Sequence, residues 1–355
     1  MATLTTKERF QRMYDRKEAD RVPIIDVPWA GTLARWKREG MPADMDWRDF
    51  FDVDKFQNIR PDTSPRFAQE LIEETDRYII TTSSWGATLK EFKAEDSTPE
   101  FLDFKVKTSD EWAKAKALMF PDRERINWAQ LKSDYAKWQN DGSWISAGFW
   151  FGFDVAHSWM VGTETLLIAM IEEPEWVSDI FNTYLDMSIA HFDMIWDEGY
   201  RFDSIDWPDD MGYKNKTFFS SEMYRELLQP IHKRAVDWAH NKGIKAQLHS
   251  CGDITTLIPD IIETGVDGLN PLEVKAGMDA IALKKQFGDK LLLQGGLNTV
   301  FWDNLDQVLP EIEQKVPILK QGGGYVFSSD HSIPNSITLE NYRAIVVAAK
   351  KFGAY

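Results

Sequence analysis

The second half of the chain alternates short apolar runs with amphipathic stretches of helical period, the pattern of repeated strand–helix units around a parallel sheet. FDSIDW (202–207), KAQLHSC (245–251), VDGLNP (266–271), LLLQGG (291–296) and YVFSS (325–329) read as strands. Between them lie helices with recognisable ends. One runs from the Ser220-Ser221-Glu222 cap to about Asn241 and stops at Gly243. Others cover 254–264 (with an internal proline, ending at Gly265), Asp279–Phe287, Leu305–Lys320 and Thr338–Phe352. In the first half, RVPIIDV (21–27), RYIITT (77–82) and WISAGF (144–149) supply three more strands, separated by long connections at 28–76 and 83–143. Eight strands with intervening helices predict an α/β fold, a (β/α)8 TIM barrel with an N-terminal helical extension and long early βα loops, in one domain over 1–355. A doubly wound open sheet is the main rival, and no glycine-rich phosphate fingerprint follows any strand to support it.

Composition narrows the function. A net charge of −16 and a pI near 4.9 exclude backbone binding to nucleic acid, which needs clustered Lys and Arg. One cysteine excludes an internal disulfide framework. The N-terminus is polar and helical, without the apolar core of a signal peptide, and no window approaches 18 uninterrupted apolar residues. A cytoplasmic protein is therefore expected, and a homodimer is compatible with the sequence.

Chemistry-bearing side chains gather where strands end. Asp206, His249, Asn270, Gln294 and Ser328 all fall near the C-terminal end of their strand, and in a barrel those ends converge on one mouth. Strand side chains alternate, so His249 and Cys251 point to the same side, and Gly252 allows a tight turn after them. An imidazole beside a thiolate is half of a zinc site. With no second cysteine, the third ligand has to be of another type: His331 in SSDHSIP is the foremost choice, with Asp330 and Glu273 as alternatives. His157 follows FWFGFD and is a further candidate for the mouth, whereas His191, His232 and His240 lie on helices and read as packing or surface residues. WPDDMG (207–212) places Asp209 and Asp210 in a loop just after a strand, as bases, as groups orienting a metal ligand, or as caps. Among the 15 tryptophans, Trp29, Trp85 and Trp207, with Phe149 and Phe151, suggest an aromatic-walled substrate pocket.

Longer stretches carry a resemblance. DRVPI (20–24), GTETLLIAMIEEPEWV (162–177), IDWPDDMG (205–212), LHSCGDITTLIPDIIETGVDGLNP (248–271) and GYVFSSDHSIPNSITLENY (324–342) resemble the uroporphyrinogen decarboxylase superfamily, which includes corrinoid-linked methyltransferases. The resemblance spans nearly the whole chain and implies a (β/α)8 barrel. Porphyrinogen decarboxylases carry an arginine-rich segment after the first strand to hold substrate propionates. Here that segment reads DVPWAGTLARWKREG, with Pro28, Trp29 and Ala30 replacing arginines and Arg35 remaining, and TTSSWGATLKEF, where an acidic residue is expected next, has no aspartate. The methyltransferase branch binds zinc through a His-x-Cys pair, matched by His249 and Cys251, and a later cysteine that aligns with His331. The resemblance thus implies a zinc-dependent methyltransferase taking a methyl group from a small methoxylated aromatic to a corrinoid protein (O-demethylation). Zinc would sit on His249, Cys251 and His331, and Asp206, Asp209 or Asp210 would assist proton transfer. The corrinoid would arrive with a partner. The alternatives are methylation of a coenzyme M-type thiol, a metal-free decarboxylase or lyase of a small carboxylic acid, and a non-catalytic binding protein.

Overall fold

The computed structural model describes residues 3 to 93 and 98 to 355. Its centre is a curled, all-parallel sheet of seven strands in the order Phe56–Ile59, Trp144–Gly148, Ser204–Pro208, Lys245–His249, Gly268–Asn270, Leu292–Gln294 and Tyr325–Val326. The strand expected over 21–27 forms only single bridges. Ile24 pairs with Phe327 in parallel sense, and the Ile24 carbonyl accepts from the Asp54 amide at 3.1 Å, so this segment joins the two edges of the sheet. Pro23 interrupts its donor ladder, which is why no regular strand develops.

The strand expected over 77–82 is real but lies elsewhere. Tyr78–Thr82 pairs antiparallel with Leu71–Glu74 and Ala87–Phe92, and Glu100–Phe104 completes a separate four-stranded sheet. Its place beside Trp144–Gly148 is taken by Phe56–Ile59, inside the stretch read as a connection.

Helices cover the outer face of the parallel sheet. Pro174–Asp197 has Pro at its first position and buries Val177, Ile180, Phe181, Tyr184, Leu185, Phe192 and Ile195, a spacing of three and four that makes one apolar stripe. The long helix expected over 220–241 widens into a π-turn at Tyr224–Leu228, just ahead of Pro230, whose missing N–H cannot support a regular ladder. Ser220, Asp279 and Thr338 cap their helices with side-chain oxygens. The N-terminal helix Thr6–Tyr14 starts with a Thr5–Glu8 capping box and is tied to the sheet by Arg9, which pairs with Asp20 at 2.7 Å and with buried Asp54 at 2.9 Å. Among the described residues no helix is long and apolar enough to cross a membrane.

Buried Asp26 pins the 21–28 segment in place. Its carboxylate accepts from the Ser329 amide (2.8 Å), the Ser329 hydroxyl (2.9 Å) and the Tyr342 hydroxyl (2.9 Å). Burial pushes its pKa from 3.8 up to about 6, these hydrogen bonds opposing the rise. Below the unfolded value both states are protonated; between it and the folded value only the native state holds the proton. The stabilisation from that proton is therefore lost as the pH rises through about 4 to 6. Asp26→Asn removes the dependence. Relative to wild type, the variant is expected to gain about 2 kcal/mol on going from pH 4 to pH 7, read by urea unfolding at each pH. A difference independent of pH would contradict this.

Candidate functional site

Strand alternation decides what faces the mouth of the curled sheet. Asp206 stands opposite Gln247 in register, and His249 stands opposite both Pro208 and Asn270. These residues, with Asn58 and Gln294, line one cavity of about 320 Å3. Their strand neighbours Ile205, Trp207, Leu248 and Leu293 point the other way and are buried at 0 to 1% exposure under the helices.

At the rim, His249 and Cys251 project together, with Nε2 and Sγ 3.4 Å apart. Ser250, between them, faces away and accepts from the Met211 amide at 3.0 Å. The Cys251 amide donates to Asp210 Oδ1 at 2.7 Å, and that oxygen lies 3.7 Å from His249 Nε2. Donor atoms of Asp210, His249 and Cys251 thus lie within 4.8 Å of one another, the one such His/Cys/Asp/Glu cluster among the described residues. Gly252 makes this approach possible. At φ +82° it lies so close to the Gly212 backbone that a Cβ would sit 2.0 Å from the Gly212 carbonyl carbon. Burial raises the Cys251 thiol pKa well above its usual value, and the Asp210 and Glu273 carboxylates raise it further. A bound cation would reverse that bias. Imidazole nitrogen, thiolate sulfur and carboxylate oxygen are all zinc ligands, so the donor set fits zinc.

A second layer supports the rim. Asp209 is fully buried; its carboxylate accepts from the Asp154 amide at 2.7 Å and meets His232 Nε2 at 2.8 Å, while His232 Nδ1 meets the Tyr224 hydroxyl at 3.0 Å. Asp154 takes the Trp150 indole N–H at 2.8 Å. Its pKa is pushed to about 7 by burial first and by the negative charge of Asp210 next. Burial lowers the neighbouring His157 to about 4. The Asp206 carboxyl is also raised by burial, with Arg60, 3.9 Å away, opposing.

The other residues expected at the site are distributed as follows. His331 is half-buried and stands outside the three-donor cluster; its imidazole pKa is lowered by burial and then by Lys275. Asp330 is fully buried, its carboxylate accepting from the Val274 amide and from both the amide and hydroxyl of Thr299. Glu273 accepts from the Gly252 amide at 2.6 Å and so secures the turn after Cys251. Ser328 is buried and donates to the Ser329 carbonyl. Phe149, Phe151 and Trp207 are not pocket walls but core. Phe149 stacks on Phe192, and Phe151 stacks on Trp207 under the helix that carries His232. Trp29 is half-buried, and Trp85 joins a half-buried group with Trp150 and Trp159, ring centroids 4.9 and 5.7 Å apart. Asn58, Arg60, Gln247 and Asp154 were not singled out from the sequence. Gln247 was findable, two positions before His249 on the same face.

Comparison with known proteins agrees with this architecture. The uroporphyrinogen decarboxylase (URO-D) family model matches residues 142–352. Two curated relatives, the methylcobamide:CoM methyltransferases MtaA of Methanosarcina barkeri and of its strain Fusaro, are 26% identical over 181 residues, 50% of this chain and 50% of theirs. The chain thus matches about half the length of these relatives. A solved methyltransferase from Methanosarcina mazei superposes with a TM-score of 0.64 at 16% identity, covering 98% of this chain and 99% of that one, a likeness of fold. With its strand-end cluster and most of its parallel sheet inside the matched region, the chain belongs to the uroporphyrinogen decarboxylase family.

Proposed function

We propose that this protein is a corrinoid-linked methyltransferase, moving a methyl group between a small molecule at the sheet mouth and a corrinoid carried by a separate protein. The observation that carries the reading is the cluster of Asp210, His249 and Cys251 in a URO-D family member whose curated matches are methylcobamide:CoM methyltransferases. The whole chain acts as one unit, with the 21–28 segment filling the eighth position of a (β/α)8 barrel.

His249 and Cys251 would hold zinc, with Asp210 or His331 as third ligand. When bound, zinc supplies a Lewis acid that stabilises negative charge on a leaving oxygen or a thiol. The chain's own groups do the rest. The Cys251 amide orients Asp210, and Glu273 fixes the turn that presents Cys251. Asp154, near pH 7 in its titration, holds or releases a proton beside the rim. Asp206 offers a second buried carboxyl in the cavity.

For the methyl donor we favour a methoxylated aromatic, whose ring the apolar cavity residues Ile25, Val27, Phe56 and Pro208 would receive. A coenzyme M-type thiol is the second reading, favoured by the curated matches. Porphyrinogen decarboxylation is disfavoured, because Arg35 is engaged with Glu39 and with the Asn335 and Ser336 carbonyls rather than free for a propionate. The test is anaerobic incubation of zinc-loaded protein with reduced cobalamin and 2-methoxyphenol, and separately of methylcobalamin with coenzyme M, followed by absorbance. Methylcobalamin formation with release of catechol supports the aryl ether. Thiol methylation alone moves the assignment to the second reading, and no cobalt methylation or demethylation overturns both.

A further inference from the structure

The cavity beneath the rim has a mixed lining. Ile25, Val27, Phe56 and Pro208 are its apolar residues. Asn58, Arg60, Asp206, Asn270 and Gln294 belong to its polar wall. Among the described residues ten buried side-chain polar atoms lack a hydrogen-bond partner, and the only carbonyl or carboxylate oxygens among them are Asn58 Oδ1, Asp206 Oδ1 and Asn270 Oδ1. All three belong to residues of this wall. Buried oxygens are ordinarily paired, and leaving one unpaired is costly, so three in one cavity wall call for a common cause.

The surrounding bonds fix which atoms are free. Asn58 Nδ2 is turned toward Asp206 Oδ2 at 3.4 Å, which leaves Asn58 Oδ1 as the open end of that amide. The Ser146 hydroxyl, which also approaches Asp206, is bonded to the Ser204 carbonyl at 3.2 Å. On the far side, the Tyr14 hydroxyl donates to Gln247 Oε1 at 2.7 Å, and Gln247 Nε2 donates to Gln294 Oε1 at 2.9 Å. This relay, anchored in the N-terminal helix, orients the Gln294 amide so that its Nε2 is the end left over. The wall therefore presents three unpaired acceptors beside the Gln294 Nε2 donor and the Arg60 guanidinium.

We infer that this wall selects its ligand by hydrogen-bond donors: the small molecule carries one or more O–H or N–H groups on an apolar body, paired with Asn58, Asp206 and Asn270. The apolar body lies against Ile25, Val27, Phe56 and Pro208. A fully methylated ether would leave all three oxygens unpaired. The inference rests on the methyltransferase reading for the purpose of the cavity, and it narrows the aromatic donor to rings that keep free hydroxyls.

Binding of resorcinol and of 1,3-dimethoxybenzene to the full-length protein, without corrinoid, separates the possibilities; this pair shares one ring and differs in donors, and resorcinol does not chelate metal. Resorcinol is expected to bind at least about tenfold more tightly, since a site built to pair with hydroxyls rejects analogues lacking them. The ratio should fall toward one in Asn58→Leu and in Asn270→Leu, while thermal unfolding of Asn270→Leu moves upward or stays level because its amide oxygen has no partner to lose. Equal or tighter binding of the dimethyl ether, no binding of resorcinol at millimolar concentration, or a ratio unchanged in both variants overturns the inference. Because cobalt and methyl transfer are absent from this measurement, resorcinol selectivity in a protein that never methylates cobalamin would sink the methyltransferase reading alone.

Discussion

His249→Ala is expected to lose zinc and to lower methyl transfer by about 1,000-fold, the several kcal/mol of charge stabilisation a Lewis acid supplies, while the fold survives. The side chain is 34% exposed at the sheet rim, and its ring contacts are Cys251 Sγ and Asp210 rather than the core. Truncation there leaves no cavity and strands no buried partner, so its stability cost should fall within about 1 kcal/mol. Metal content by mass spectrometry, the cobalamin assay and thermal unfolding measure the three effects separately. The same experiment on Asp210→Ala and His331→Ala identifies the third ligand. Asp210 is the carboxylate already drawn to Cys251, and its loss should reduce zinc content more than loss of His331. An active, metal-free His249→Ala protein would remove the zinc mechanism, and an unfolded one would make the residue structural.

How much of this was legible in the sequence depends on whether the deciding contacts were local. The His249–Cys251 pair, the caps at Ser220, Asp279 and Thr338, and the convergence of Asp206, Asn270 and Gln294 follow from period-two alternation and helix-end chemistry, and the structure has them. The assignment of Trp207 to the pocket failed on the same rule: with Asp206 facing inward, its neighbour had to face the helices. Asp210 as the carboxylate nearest the pair was hidden, because the contact that delivers it is the backbone approach of Gly212 to Gly252, from two different loops. Phe56–Ile59 was hidden for another reason. Its sequence, FQNI, has polar residues at its two central positions, since Asn58 serves the cavity and Gln57 takes a long contact from Arg48, so no apolar run announces a strand. Tyr78–Thr82 announced itself clearly, but which strands it pairs with is a non-local fact.

Asp209 is where structure and the expectation of catalysis part most sharply, and its replacement should have the largest effect on stability. Its two carboxylate oxygens bind the Asp154 amide and His232, its own amide donates to the His249 carbonyl at 2.8 Å, and Gly152 packs so closely that a Cβ there would fall 2.5 Å from Asp209 Oδ2. No exposed surface remains. Burial raises its carboxyl pKa, and the hydrogen bond from His232 is the main opposing influence. Asp209→Ala leaves the Asp154 amide unpaired and His232 without its buried acceptor, and breaking such a network typically costs about 3–5 kcal/mol. Asp209→Asn keeps one carbonyl oxygen and the volume, so it should cost distinctly less. Because the Asp154 amide beside the rim hangs on that carboxylate, the alanine variant should also bind zinc more weakly in whatever fraction folds. Denaturant unfolding with zinc titration checks both. A group that only exchanges protons with substrate would behave in the opposite way: unfolding at the wild-type midpoint with activity gone would return Asp209 to the chemistry and leave the rim supported by Glu273 and Gly252 alone.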